Sequence, residues 1–256
     1  MRSRRKKVRK SSKVAILLLS AGIAGTICFA ALIAIYLIIN RQEEAYYASL
    51  SAFFALNDEQ ADSVGKARMP AMDFEAVQNE FPNAVAWIQI IGTGVNYPVM
   101  HGTNNEYYMS RRPDGKNSRS GSIFIDYRNA PDFSSPNTFI YGHRMRSGAM
   151  FGTLSNYNSQ SFYDKHPTVS IFTPKGNYEL ELFAGYTFNQ KEEKQTMKFA
   201  DAKAFENYVR NAKRRSMFKS DVEVNFGDRL VTLCTCEYSF DDARLFVVGK
   251  LVEKGS

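Results

Sequence analysis

The feature that most constrains this chain is an uncharged, apolar run close to its start. Val14 to Ile39 contains no charged residue and is rich in isoleucine, leucine and alanine. A helix rises ~1.5 Å per residue, and about 20 apolar residues cross the hydrocarbon core of a bilayer. A cleavable signal peptide would have an apolar region of only ~7–15 residues before a small-residue cleavage site. The run therefore predicts an uncleaved transmembrane anchor over residues 14–39.

The positive charge of the chain is concentrated just before this run. The formal net charge is +7, and residues 1–13 contain eight lysines and arginines and no acidic residue. The remainder has 25 basic and 26 acidic side chains, so we expect no nucleic-acid partner. Basic residues mark the cytoplasmic flank of a membrane helix. We therefore expect residues 1–13 to form a cytoplasmic tip, and the chain after Asn40 to be extracellular at the cell membrane.

Two further parts follow the predicted anchor. Tyr46, Leu50 and Phe53 fall at helical spacing, which predicts a helical stalk over residues 40–70. Residues 71–256 are then expected to form one extracellular domain, because their number suffices for one sizeable core.

From Trp87 onward the pattern changes to short strands separated by turn signals. Strands that mostly lack alternating helices favour a closed or nearly closed β-barrel over a doubly wound sheet. We expect a mainly β domain with peripheral helices at Asp73–Phe81, Ala149–Tyr157 and Asp201–Arg215. The eight predicted strands are Trp87–Ile91, Asn96–Met100, Gly121–Asp126, Asn137–Gly142, Thr168–Thr173, Tyr178–Phe188, Arg229–Cys236 and Arg244–Val252.

Cysteine usage limits the chemistry of the predicted extracellular part. Of three cysteines, Cys28 lies in the apolar run, which leaves Cys234 and Cys236. A Cys-x-Cys pair is too short for ordinary disulfide geometry, and the three histidines do not cluster with the cysteines as metal ligands would. The simplest reason for an exported domain to keep a free thiol is that the thiol takes part in its chemistry. An inert, buried cysteine is the alternative at this point.

A thiol, an imidazole and a guanidinium lie beside predicted strand ends. A cysteine attacks as the thiolate; a histidine assists proton transfer and a cation stabilises oxyanion charge. Cys236 ends one predicted strand and Arg244 begins the next. His143 follows a strand and a glycine, where it can face a groove, whereas His101 and His166 lie in loops and are more often solvated or capping residues. All three histidines precede the cysteine, which disfavours papain-like peptidases.

Together these residues resemble the sortases. Thr232–Cys236 reads Thr-Leu-Cys-Thr-Cys and matches the family's Thr-Leu-x-Thr-Cys signature. Arg244 begins the next strand, and Tyr-Gly-His143 precedes the cysteine. The resemblance covers residues 70–256. Four further segments look like a class B sortase specifically: Trp87–Ile90, Asn96–Val99, Asn105–Tyr108 and Gly121–Arg128.

The resemblance implies an eight-stranded sortase-type β-barrel, with N-terminal helices and a helix inserted before the cysteine strand. It also implies a cysteine transpeptidase of the Gram-positive cell surface that needs no metal or other cofactor. Cys236 would attack the carbonyl after the threonine of an Asn-Pro-x-Thr-type sorting signal, which lies near the C-terminus of a secreted protein. His143 would protonate the departing amine, and Arg244 would stabilise the oxyanion. An amine of the cell-wall precursor, or of a pilin lysine, would then resolve the thioester.

The same resemblance points to four candidate substrate-binding residues. Asn105 and Met109 match a groove-lining segment, and Cys234 occupies the variable position of the signature. Glu237 directly follows the nucleophile and is expected to contact substrate. The plainer alternatives are a small packed side chain for Cys234 and a solvated acid for Glu237.

Two other functions remain open at this point. The first is a thiol hydrolase on the same scaffold, in which water accepts the acyl group. The second is a non-enzymatic surface-binding domain whose cysteine is inert.

Overall fold

The computed structural model describes residues 2–50, 72–145, 147–189, 191, 195–236 and 243–254. For residues 2–16, 44 and 236 it describes the backbone alone. The chain divides into two compact units, Met1–Tyr46 and Tyr47–Ser256.

The first unit lies within one long helix, α1 (Arg2–Leu50). The part of α1 from Leu17 to Leu50 is long and apolar enough to cross a membrane. The predicted stalk, residues 40–70, is helical as far as Leu50; residues 51–70 lie outside the described residues.

The second unit is built on a closed β-barrel, which confirms the predicted fold. Its strands close in the order β1-β2-β3-β4-β7-β8-β6-β5. The pairs β2–β3 and β4–β7 are parallel and the others are antiparallel. The strands are β1 (Ala84–Gln89), β2 (Asn96–Met100), β3 (Ile123–Ile125), β4 (Asn137–Tyr141), β5 (Thr168–Thr173), β6 (Gly176–Asn189), β7 (Leu230–Cys236) and β8 (Ala243–Lys254).

Short helices accompany the barrel: α2 (Phe74–Glu80), α3 (Glu106–Met109), α4 (Gln160–Lys165) and α5 (Ala202–Arg215), with a 3-10 helix at Gly152–Asn158. The sequence did not predict α3 and α4, since one turn is too short to show a periodic apolar stripe. The helix predicted at Ala149–Tyr157 starts later and is 3-10, because the preceding residues fold back as a turn. There the Phe151 amide donates to the His143 carbonyl over 3.0 Å.

The longest of these helices, α5, covers one face of the sheet. The Asp201 side chain caps its first turn by accepting a hydrogen bond from the Ala204 amide over 2.7 Å. Its last turn is basic, which suits the negative end of the helix dipole. Its apolar stripe is buried in one cluster with residues of β4, β6, β7 and β8, including Phe205, Val209, Ala212, Phe139, Cys234 and Phe246.

A buried polar network ties β4 and β7 together beneath α5. Thr232 of β7 donates to the Asn137 side-chain oxygen of β4 over 2.9 Å. The Asn137 amide nitrogen in turn donates to the Thr196 carbonyl over 2.9 Å and to the Tyr208 hydroxyl over 3.2 Å. Asn137 and Thr232 are both fully buried, so each lost partner would leave a polar atom without water.

We expect Thr232→Val to lower the free energy of unfolding by about 1–3 kcal/mol, because it leaves the buried side-chain oxygen of Asn137 without the hydrogen-bond donor of Thr232. Thr138→Val is the matched control: Thr138 is equally buried on the adjacent strand, and its hydroxyl has no hydrogen-bond partner among the described residues. Its substitution should be neutral or stabilising. Urea unfolding followed by the fluorescence of Trp87, the one tryptophan and fully buried in β1, measures both. Equal destabilisation by the two variants would contradict this account of the network.

Candidate active site

The order of three neighbouring strands brings the strand ends that carry or precede the predicted catalytic residues next to one another. In the parallel pair β4–β7, Tyr141 lies opposite Cys234, and the Gly142 amide donates to the Cys234 carbonyl over 3.1 Å. His143 follows two residues after Tyr141, just beyond the end of β4, and Cys236 is the last residue of β7. In the antiparallel pair β7–β8, Cys236 lies opposite Arg244. The end of β7 therefore lies between the end of β4, which leads to His143, and the start of β8.

His143 is half-buried at the point where the chain leaves β4. Burial lowers the pKa of its imidazole below the ordinary value of 6.5, which favours the neutral ring. The turn that follows is closed by the Phe151–His143 hydrogen bond and by a bridge between Arg144 and Met150. The Met150 amide also donates to the Tyr97 hydroxyl of β2 over 3.1 Å. The backbone around His143 is thus fixed from two sides.

Gly142, directly before the histidine, packs too closely for any side chain. A Cβ atom there would overlap Ile123 Cδ1 and lie 2.7 Å from ring carbons of Phe151. Both neighbours are almost fully buried, so neither has room to move away. Close packing therefore explains why a glycine precedes the histidine.

Arg244 begins the ladder of β8 and is half-buried. Its side chain donates to the Ala243 carbonyl over 3.0 Å, and in the sheet it lies opposite Phe188 of β6. The Phe188 ring in turn packs on Phe246 with centroids 4.0 Å apart. These aromatic contacts support the sheet on the side of Arg244 away from Cys236.

The four predicted substrate-binding residues have different surroundings. Cys234 is only 3% exposed and packs in the apolar cluster with Phe139 and Phe246. Met109, at the end of α3, is 51% exposed. Asn105 precedes α3, and both ends of its amide are bound within the protein, to Asp126 and to the Tyr127 amide. Glu237 lies outside the described residues.

Sequence reasoning missed a buried charged group beside these residues, Asp126. Its carboxylate is fully buried and paired with Arg128 over 2.8 Å. Burial opposes ionisation, but hydrogen bonds from Arg128, Asn105 and Tyr141 outweigh it and hold the Asp126 pKa at about 2. The available signal was an acid that ends an apolar strand, with an arginine two residues later.

Comparison with known proteins agrees with this geometry. The model of the sortase domain matches residues 88–252. Sortase B of Listeria monocytogenes is 36% identical over 192 residues, which cover 74% of this chain and 77% of the relative. Sortase B of Staphylococcus aureus is 35% identical over 182 residues, which cover 70% of this chain and 75% of the relative.

Solved structures give the same result. The Staphylococcus aureus sortase B–substrate complex superposes with a TM-score of 0.75 at 32% identity, covering 85% of this chain and 100% of that one. Sortase B complexed with triglycine superposes with a TM-score of 0.73 at 32% identity, covering 84% of this chain and 100% of that one.

These findings identify a cysteine transpeptidase: the chain belongs to the sortase family. Its relatives and its closed eight-stranded barrel further assign it to class B.

We expect Gly142→Ala to cost about 1–3 kcal/mol of unfolding free energy through overpacking against Ile123 and Phe151. Gly94→Ala is the matched control, since a Cβ atom at Gly94 meets no described atom within 4 Å; it should change stability by less than about 0.5 kcal/mol. Trp87 fluorescence in urea measures both. Indistinguishable midpoints for the two variants would refute the packing explanation.

His143 should titrate below 6.5 because burial disfavours its charged form. NMR of histidine-labelled protein in detergent tests this, the His143 signal being the one lost in His143→Gln. Because folding depresses the pKa of His143, its contribution to the free energy of unfolding is complete above pH 6.5. This contribution is lost as the pH falls through the pKa of His143 in the folded protein. A His143 signal that titrates at or above 6.5 would contradict the structure.

Proposed function

We propose that this chain is a membrane-anchored sortase that cleaves an Asn-Pro-x-Thr-type sorting signal of secreted proteins after the threonine and transfers the acyl group to an amine. The observation that carries the proposal is the strand order: the end of β7, with Cys236, lies between the end of β4, which leads to His143, and the start of β8, with Arg244. This order suits one nucleophile, one proton carrier and one fixed cation around a single carbonyl carbon.

In the first half-reaction, the Cys236 sulfur attacks the threonine carbonyl and its proton passes to His143. The depressed pKa of His143 supports this start, because a neutral imidazole can accept a proton. The carbon–nitrogen bond of the scissile amide then breaks, and His143 returns the proton to the departing amine. The threonine is left as a thioester on Cys236.

Arg244 is proposed to stabilise the negative charge on the substrate oxygen during this attack. Guanidinium stays charged at every physiological pH and offers donors in a rigid fork, which suits an oxyanion better than a lysine would. The half-buried position of Arg244 strengthens the interaction, since charges attract more strongly where water is partly excluded.

In the second half-reaction, an amine attacks the thioester, gives its extra proton to His143, and displaces the Cys236 sulfur as the thiolate. His143 then returns the proton to Cys236, which restores the starting state. One amide bond replaces another, so the exchange needs no outside energy source. We propose an amine of the cell-wall precursor, or a pilin lysine, as the acceptor. The related sortase B complexed with triglycine supports this, because that peptide carries a free amine.

We propose that α1 anchors the enzyme in the cell membrane, with residues 1–13 cytoplasmic and the barrel extracellular. The apolar length of α1 and the basic residues before it support this orientation. On the same proposal, Asn105, Met109 and Glu237 contribute to the substrate groove, and Cys234 supports the groove from within the apolar cluster.

The test uses the full-length chain in detergent, an Asn-Pro-x-Thr peptide, and triglycine as the amine acceptor. We expect cleavage, and an acyl–triglycine product by mass spectrometry. Cys236→Ala should abolish turnover, while His143→Gln and Arg244→Gln should each lower kcat/KM by at least about 100-fold. Cys28→Ser, which alters a cysteine within α1, should leave turnover unchanged.

The two alternative functions predict different results. A thiol hydrolase would release free peptide acid at a rate that no amine alters, with no triglycine product. A non-enzymatic binding domain would show no turnover, and its Cys236 would not react with a thiol reagent at neutral pH. Either result would overturn the transpeptidase proposal.

A further inference from the structure

One buried carboxylate outside the predicted catalytic set gathers five hydrogen bonds. Asp126, at the end of β3, accepts from the Arg128 side chain twice, at 2.8 Å each, and from the Arg128 amide at 3.0 Å. It also accepts from the Asn105 amide nitrogen at 3.0 Å and from the Tyr141 hydroxyl at 3.0 Å. With no exposed surface, Asp126 depends on these donors alone among the described residues.

Through these contacts Asp126 joins three segments that are distant in the sequence. Asn105 belongs to the segment before α3, and Tyr141 ends β4. Arg128 reaches the loop between β6 and α5, where it donates to the Gln195 side chain over 3.0 Å. A single ion pair thus fixes the relative positions of two loops and one strand end.

These segments adjoin the candidate active site. Tyr141 lies opposite Cys234 in the sheet, and it ends β4 two residues before His143. Since side chains alternate along a strand, Tyr141 and Cys234 share the sheet face expected for Cys236. Tyr141 is half-buried, so part of the residue is accessible.

We propose that Asp126 is a positioning residue for peptide binding: it holds Tyr141, Asn105 and the Gln195 loop as a preformed wall beside the catalytic strand ends. This rests on the proposed function. The bound class is the extended acyl-donor peptide, because the wall adjoins the carbonyl-attacking residues rather than forming a separate site. A preformed wall lowers the ordering cost of binding, so its loss weakens binding.

Asp126 and Tyr141 each keep one protonation state, as expected of residues that position a wall and not of residues that carry protons. The Asp126 carboxylate stays ionised, since its pKa is held at about 2. Burial, together with Cys234 and Asp126, raises the pKa of Tyr141, so its phenol stays neutral. The Tyr141 hydroxyl donates a hydrogen bond to Asp126 over 3.0 Å, which fixes the orientation of its ring.

The competing explanation is that the ion pair only stabilises the barrel. Asp126 is buried and Arg128 is half exposed, and such a pair is weak evidence for stability because desolvation of the carboxylate offsets much of the attraction. A purely structural role would lower the folded fraction, and hence the apparent kcat, with KM unchanged. A positioning role would raise KM, because folded enzyme with a disordered wall binds peptide less tightly.

The experiment measures KM and kcat of the full-length enzyme for the Asn-Pro-x-Thr peptide, with saturating triglycine. We expect Asp126→Asn to raise KM about tenfold or more with kcat within about threefold of wild type. Tyr141→Phe, which removes one of the five donors, should raise KM in the same direction but less. The pH profile of Cys236 alkylation should not change, since the wall leaves the reacting residues in place.

Asp114→Asn is the matched control. Asp114 pairs with Arg112 at the same two-residue spacing, over 3.2 and 2.6 Å, but lies in the segment between α3 and β3. It should leave KM unchanged.

An Asp126→Asn variant that matches Asp114→Asn in KM, or loses kcat alone, would overturn the inference. If Asp126→Asn fails to fold by Trp87 fluorescence, Tyr141→Phe decides: an unchanged KM refutes the positioning role, and a raised KM supports it. Wild-type turnover tests the proposed function separately, so the two can fail independently.

Discussion

The parallel pairing of β4 with β7 is the contact on which the rest of the site depends. It places Tyr141, which precedes His143 by two residues, opposite Cys234, which precedes Cys236 by two residues. Because β7 also pairs with β8, the same strand sets the position of Arg244. A slip of one residue would turn every side chain of β7 to the other face of the sheet. Strand register is therefore a condition for the chemistry as well as for the fold.

Buried polar groups hold that pairing from both ends. At the start of the two strands, Asn137 and Thr232 bind each other, and Asn137 also reaches the chain that leads into α5. At the other end, Tyr141 is tied to Asp126 and, through Arg128, to the same chain at Gln195. A buried polar group is costly in any arrangement that leaves it unpaired. The two networks therefore favour one register and one loop position over their neighbours.

The sequence predicted the parts of this structure that depend on local pattern. The strands Asn96–Met100 and Thr168–Thr173 have their predicted bounds, and α5 differs by one residue, because alternation and a capped apolar stripe are local signals. The helix α3 was not predicted, since four residues carry no period. The sequence also did not predict the contacts of Asp126. Its partners Asn105 and Tyr141 are remote in sequence, and no local pattern indicates such contacts.

In the candidate site too, local features could be predicted from the sequence, whereas contacts between remote residues could not. Cys236, His143 and Arg244 could be proposed from strand ends and residue type, and the family resemblance added their roles. The resemblance also suggested Asn105, but it could not reveal that both ends of its amide are bound inside the protein. The burial of Cys234 depends on Phe139 and Phe246, which come from other strands. Such facts need the three-dimensional arrangement.

The β4–β7 pairing also has a consequence for the order of folding. Residues 141 and 234 must meet across about half of the domain sequence, so this pair closes a long loop. The conformational entropy of that loop is lost before its contacts stabilise the structure. A chain made from its N-terminal end contains His143 well before Cys236 and Arg244 exist. The three residues can assemble only when almost the whole chain has been synthesised. A nascent or truncated chain therefore contains the histidine without the nucleophile, and the complete site forms as one of the last events of maturation.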